Sequence, residues 1–533
     1  MVGREQFTDE ERAALAPYFT NLDSPVFALI NLPEVVKGAL FARYSRSPKS
    51  VRRLFLDEFL PDLDGSDAVT RNSQAGTARA ERLYARVLSE YGDDSVAQLG
   101  GVHLACEGAS NILTKVLEWG RLMAYLEQST RYVPYTQREG GTWRYHVPAE
   151  VAASPLAGRY VEVLDAAFEV YARLIRVLQN FYAQRVARDS QDSDAVYKQA
   201  IRAKALDTLR GLLPAATTSN VGLYGTGQAY EALIMRMRAS PISEVQDYAA
   251  LMLAELRKVI PAFLARVDQP ERGERWTRYL AETRATTERV AARVLAGMEP
   301  RETAGVALTD FDPEGESKVI AAALYAVSDL PDEALLDAVR GMGLDQRAEV
   351  LHAYVGDRTN RRHKPGRAFE RTSYRFDVLC DYGAYRDLQR HRLLTLEAQA
   401  LTPHFGFAMP GAIEKAGLVE EWKRVMDNSA ALYEALAAGG LRAVAPYAVS
   451  MAYRIRFSME MNAREAMHVI ELRTSPQGHP AYRRVCQEMH RLIRDEAGHG
   501  AIAAAMRFVD YSEVELERLQ AERSSERKRL ALD

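Results

Sequence analysis

A helix-rich α+β fold follows from three features of this 533-residue chain. Long segments carry apolar residues three and four positions apart, the period of a half-buried helix. Two-residue alternation is confined to short runs, which gives an antiparallel sheet a smaller share. A stretch rich in Gly, Pro and acidic residues, 299–316 (EPRETAGVALTDFDPEGE), divides the chain near its middle.

Composition narrows the field. Apolar types make up 47% and charged types 26%, which excludes disordered, collagen-like and coiled-coil classes. With 69 basic against 72 acidic residues the formal charge is −3, so no general nucleic-acid binding is expected. Cys106, Cys380 and Cys486 are far apart and odd in number, neither a disulfide framework nor a zinc cluster. The charged start MVGREQFTDEERAALAPYF is unlike a signal peptide, and no apolar run reaches membrane-spanning length. The expectation is a soluble cytoplasmic protein without a membrane partner.

Along the chain, an apolar helix should meet a loop near Arg121, and a second should end near Gln128 in AYLEQSTRYVPY, because Pro134 and β-favouring neighbours oppose its continuation. The resulting loop could aim the Ser129 hydroxyl, backbone N–H groups and the Arg131 guanidinium at one phosphate. Thr142 to Val147 reads as a strand. Helical periods follow at 156–187, 196–213 and 244–266. The turn Gly222-Leu-Tyr-Gly225-Thr-Gly227 precedes a helix that ends in Arg238. Beyond the divide, Tyr374, Phe376, Val378 and Cys380 alternate with polar residues as a strand. Arg390-His391-Arg392 then lies among leucines, and on a helix the trio would fan over about 200°. That arrangement suits an anionic or planar cofactor held where several elements meet. Helical periods return at 419–438 and 480–508. Between them Asn462 is an N-cap, Arg464 and His468 share a face, and Arg473 ends an apolar stripe. The pairs Glu465/His468 and Glu496/His499 have the spacing of di-iron ligands but lack facing glutamate helices, so no metal is expected. The tail from about Tyr511 reads as a solvated helix or frayed end.

The halves repeat faintly. Leu-Arg-x-x-x-Pro occurs with Arg210 and Pro214, and again with Arg442 and Pro446; a helix ending in Arg follows each, at Arg238 and Arg473.

Together these segments resemble the flavin-dependent thymidylate synthases. The likeness rests on Ala368-Phe369-Glu370, Arg390-His391-Arg392, Arg442 and Asn462-Ala463-Arg464 through Arg473 in the second half. In the first half it rests on Glu127-Gln128-Ser129-Thr130-Arg131-Tyr132, Arg210 and Arg238. Two degenerate tandem copies are implied, 20–295 as the nucleotide-site half and 305–508 as the flavin-site half, with a charged tail at 509–533. Each would be an antiparallel sheet with long helices. The first copy has Trp119-Gly120-Arg121 for Arg-His-Arg and Gly227-Gln228-Ala229 for Asn-x-Arg; the second has lost Ser-x-Arg around 398–403. Such complementary loss is what a fused pseudo-dimer tolerates if one composite site per pair survives.

The resemblance implies reductive methylation of dUMP to dTMP with methylenetetrahydrofolate and NADPH. Glu370, Arg390, His391, Arg392, Asn462, Arg464 and His468 would hold FAD. Glu127, Gln128, Ser129, Thr130 and Arg131, with Arg210, Arg238 and Arg442, would hold dUMP. Arg473 and Arg390 would act in catalysis, Arg473 by favouring ionisation at N3 of the pyrimidine. A homodimer would be a pseudo-tetramer. The alternative is an inactive paralogue that binds flavin or nucleotide in a regulatory or scaffold role.

Overall fold

The computed structural model describes residues 6–23, 27–44, 49–62, 98, 100–131, 133–190, 192–298, 305–513 and 515–530. Tyr132 of the first motif lies outside them. The fold is helix-rich α+β with two antiparallel sheets. By packing the chain forms two compact units, one of 1–107, 120–127 and 220–298, the other of 108–119, 128–219 and 299–533. The boundaries 20–295 and 305–508 concern repetition, a different property. By packing, residues 128–219 belong with the second half of the sequence.

The three-stranded sheet has the order β1-β3-β2, from Gly101–Ser110 (β1), Met123–Glu127 (β2) and Thr218–Thr226 (β3). In the first unit β2 runs antiparallel to β3, with Met123 opposite Gly225 and Glu127 opposite Val221. Two segments differ from expectation: AYLE is a strand rather than the end of a helix, and Gly222–Thr226 continues a strand rather than forming a turn. Val221 and Leu223 are buried in alternation with exposed neighbours, so β3 gains more by pairing than a turn could. A Cβ on Gly225 would come within 2.8 Å of the Met123 side chain, so glycine there permits the close pairing. Thr226 then caps the helix Gly227–Arg238. The apolar run at 244–266 is a helix only over Ser243–Leu256, after which Pro261 opens a 3₁₀ segment.

In the second unit, Val306–Phe311 (β4), Ser373–Asp381 (β5), Thr395–Ala398 (β6) and Arg454–Asn462 (β7) form a sheet of order β4-β5-β7-β6. The alternation in β5 is as expected. Tyr374, Phe376, Val378 and Cys380 are buried, while Arg375 pairs with Glu460 and Asp377 with Arg456 on the other face. Helices Ala157–Arg185 and Val419–Ala438 match their sequence periods closely. The helix Asp194–Leu209 starts on a Ser193 cap and passes into a 3₁₀ turn at Arg210. The chain after Arg210 then pairs with the chain after Pro446: Ala215 and Ala216 donate to Val449 and Tyr447, and Met451 and Ala452 donate to Leu213 and Gly211. Segments following the two repeated motifs therefore run antiparallel against each other.

Three more expectations change. Thr142–Val147 contributes only isolated bridges, Glu139 to Thr142 and Tyr145 to Thr217, because Gly140 and Gly141 take positive φ and fold the chain back. The apolar run 480–508 breaks at Gly498, also at positive φ, into Pro480–Asp495 and Gly500–Ala505. Among its described residues the tail forms a helix over Leu519–Leu530 and is not wholly solvated. Leu516 and Glu517 are buried, Lys204 pairs with Glu517, and Arg523 grips Asp192 through both carboxylate oxygens. All three cysteines are buried and unbridged. Among the described residues no helix is long and apolar enough to cross a membrane.

Candidate functional site

Asp381 at the end of β5 caps the helix Tyr382–Leu388 by accepting from the Ala384 N–H at 2.9 Å. That helix stops at Leu388, so Arg390-His391-Arg392 lies in the turn leading to β6 and not on a helix. A turn can send the three side chains in different directions. The segment is anchored by the first half of the sequence. Tyr382 donates from its hydroxyl to the Asn111 carbonyl at 2.9 Å, and Gln389 donates to the Lys115 carbonyl at 2.7 Å. Asn111 and Lys115 belong to the helix Asn111–Leu117.

One small cavity, about 30 Å³, is lined by Ser129, Thr130, Arg131, Arg210, Gly383, Arg386, Asp387 and Arg390. All eight belong to the same compact unit, four from before the divide in the sequence and four from after it. Ser129 shapes the approach: its hydroxyl accepts from the Arg131 N–H at 3.2 Å, and its carbonyl accepts from Val133. The Arg131 guanidinium is held by Asp207, with Nε donating at 2.7 Å and Nη2 at 2.5 Å. Both side chains are largely buried. Burial opposes the Arg131 charge, but Asp207 outweighs it and raises the arginine above its ordinary range. Arg210 is 5% exposed and donates through Nη1 to Asp387 at 3.3 Å. Its Nη2 is buried with no hydrogen-bond partner. Arg473 comes within 3.9 Å of the other Asp387 oxygen. Burial would raise the Asp387 carboxyl, yet Arg210, Arg390, Arg473 and Arg131 together hold it well below the usual carboxylate range. Arginines outnumber carboxylates around this space, which suits an anion.

A second cluster adjoins it through Arg473. Asn462 caps the helix Ala463–Arg473 by accepting from Glu465, as expected. At the far end Arg473 Nε donates to His391 Nε2 at 2.9 Å, leaving Nδ1 of His391 3.7 Å from a Glu465 oxygen. The His391 and His468 rings lie edge to face at 5.5 Å. Burial, reinforced by Arg473, pushes His391 well below its ordinary pKa; burial takes His468 down to about 4, and it raises Glu465. Arg464 donates to the Pro365 carbonyl at 2.9 Å and to Glu370 at 3.3 Å. Arg392 is exposed beside Leu393, itself 70% exposed.

His391, Glu465 and His468 bring three donor atoms within 4.8 Å of one another, a grouping the sequence reading did not foresee. The charges around it, from Arg473, Lys364, Arg464 and Arg392, disfavour a metal cation there. The second Glu-x-x-His pair takes no part in this grouping. His499 shares a hydrogen bond with the Tyr374 hydroxyl at 2.7 Å.

Other expected residues lie elsewhere. Gln128 accepts from Arg144 and, through its carbonyl, from Ser219. Glu127 is buried at the end of β2 and belongs to the other compact unit. Arg238 belongs to that unit as well and pairs with Asp268 at 2.7 Å. Arg442 is exposed and is not among the residues lining the cavity, so of the two Leu-Arg motifs only Arg210 reaches it. Sequence reading missed Asp207, Arg386 and Asp387. Each is a charge inside an apolar helix, in AKALDTLRGLLP and AYRDLQRHRLL, and that misfit was the available signal.

The family model described as thymidylate synthase complementing protein matches residues 42–262 and 307–497. A protein of Chlamydia muridarum, named UPF0159 protein, is 38% identical over 98% of this chain and 99% of its own. A flavin-dependent thymidylate synthase of Clostridium tetani is 23% identical over 33% of this chain and 67% of its own. A solved structure of the UMP/dUMP methylase PolB from Streptomyces cacaoi, bound with 5-Br dUMP, aligns at 20% identity and a TM-score of 0.31, covering 40% of this chain and all of that one.

Proposed function

The chain belongs to the thymidylate synthase complementing protein family, and from that premise we propose that it is a flavin-dependent methylase of dUMP with one composite site. The observation that carries this reading is the cavity in which Ser129, Thr130, Arg131 and Arg210 face Arg386 and Arg390 within one compact unit. Arg210 has an unsatisfied buried N–H, and Asp207 fixes the aim of Arg131, so both guanidinium groups offer donors to a phosphate. Arg473 sits between this space and the His391 cluster, where its charge would favour the N3 anion of a pyrimidine and enrich C5.

The donor set of the second cluster fits a flavin nucleotide. Arg392 and Arg464 offer guanidinium groups for a diphosphate, His391 and His468 are neutral imidazoles, and Leu393 offers exposed apolar surface. Glu370 steadies Arg464, and Asn462 keeps its amide N–H groups available while its oxygen caps the helix. Bound there, FAD would supply the redox step, with NADPH as reductant and methylenetetrahydrofolate as the carbon donor. The test is direct. Purified protein mixed with FAD should take up a flavin spectrum, and with NADPH, methylenetetrahydrofolate and dUMP it should form dTMP. Flavin uptake without dTMP would favour the second reading, a binding or regulatory paralogue. The specific observation for that second reading is the smallness of the cavity, which Asp387 partly fills.

A further inference from the structure

Asp387 is the one carboxylate among the residues lining the small cavity, and it sits where the arginines converge. Arg210 donates to one of its oxygens at 3.3 Å, and Arg473 stands 3.9 Å from the other. Arg131 and Arg390 line the same space. The remaining volume, about 30 Å³, is room for a water or two beside the Asp387 carboxylate. Arg210 Nη2 has no hydrogen-bond partner although it is buried, so the single carboxylate does not satisfy the guanidinium it holds. A phosphate offers three oxygens in place of two, and a carboxylate beside it would repel it.

We infer that Asp387 is an internal anion occupying a phosphate site, so that a ligand's phosphate must displace this side chain to reach Arg210. The inference rests on the nucleotide reading for the ligand's identity, but the anion site itself is testable without a nucleotide. Asp387 then sets the site's affinity. It keeps the guanidinium cluster assembled in the free protein and taxes every phosphate that enters. Gly383 belongs to the same device. A Cβ there would lie 3.1 Å from Arg210 Nε and 3.0 Å from an Asp381 oxygen, so its glycine leaves Arg210 room to follow an incoming anion.

The test compares the full-length protein with Asp387→Asn, using inorganic phosphate and dUMP as separate probes. Without added anion the variant should melt lower than the parent, because its arginines have lost their counter-charge. Phosphate should then raise its melting temperature more than the parent's, and dUMP should bind roughly ten- to hundred-fold tighter by calorimetry. Adding Arg210→Met should cancel the gain. Asp377→Asn, which breaks a comparable pair with Arg456 outside the cavity, should show no phosphate response. If Asp387→Asn binds both probes no better than the parent, the inference falls, and if both proteins still bind dUMP the nucleotide reading survives it. If phosphate binding rises while neither protein binds dUMP, the internal-anion assignment stands and the nucleotide reading falls. Should the variant not fold in chloride buffer, refolding in phosphate at equal ionic strength decides. Recovery in phosphate alone supports the inference, and equal failure in both overturns it.

Discussion

Asp207 shows how much one side chain can fix. It holds Arg131 through two nitrogens in a largely buried pair, and breaking such a pair leaves an uncompensated charge that costs about 3–5 kcal/mol. Asp207→Asn is therefore expected to lower urea-unfolding stability by that order and to weaken dUMP binding, since Arg131 loses its fixed aim. Histidines give the residue scale its pH dependence. Burial holds His391 and His479 well below their ordinary pKa and His468 at about 4, so the fold keeps them neutral where the unfolded chain protonates near 6.5. The unfolded state binds more protons in this window. Their contribution to stability is thus complete above pH 6.5 and is lost as pH falls toward 4, at up to about 1.4 kcal/mol per histidine and pH unit. Glu465, raised by burial, acts with the opposite sign above its ordinary pKa. Urea midpoints between pH 7 and pH 5 should fall with acidity, and His479→Gln should flatten that slope. A slope unchanged by the substitution would remove His479 from this account.

At the scale of elements, the helix Ala463–Arg473 carries the second cluster and is tied down at both ends. Its N-cap, Asn462, accepts from Glu465 at 2.9 Å; Asn462→Ala should cost about 1 kcal/mol and loosen the Glu465–His391 contact. Near its other end Glu471 makes a buried two-point pair with Arg358, whose Nη1 also donates to the Ala505 carbonyl. Arg358→Met should lower the chemical denaturation midpoint far more than Arg375→Met, whose partner Glu460 is half exposed. Equal effects from the two would contradict the burial argument. The Asn462 cap and the β5 alternation were legible in the sequence because both are local rules. The turn position of Arg390-His391-Arg392 was not, because its helix ends to let Thr395 pair with Glu460 of β7, a partner 65 residues away.

At the scale of the molecule, the packing unit that holds the candidate site draws on 108–119, 128–219 and 299–533. A fragment of 305–508 alone would leave without a partner the 447–452 segment that pairs with 211–216, as well as Tyr382 and Gln389, which bond to Asn111 and Lys115. Expressed alone it should be aggregated or unfolded by circular dichroism, and coexpression with residues 1–304 should restore a folded complex. A stable, monomeric 305–508 fragment would show that the C-terminal half needs none of these contacts.

The sequence by itself determined the helix-rich α+β class, the family likeness and several of the long helices, because periodicity, capping and motif spacing are written in neighbouring residues. Through the family likeness it also named Ser129, Arg131, Arg210 and Arg390, together with Glu127, Gln128, Arg238 and Arg442, which do not line the cavity. Only the tertiary structure decided that Arg210 and not Arg442 reaches the cavity, that Asp207 holds Arg131, and that Asp387 stands among the arginines. Those outcomes depend on which charges share a low-dielectric space, and segments about 170 to 260 residues apart come together there through the pairing of the whole chain.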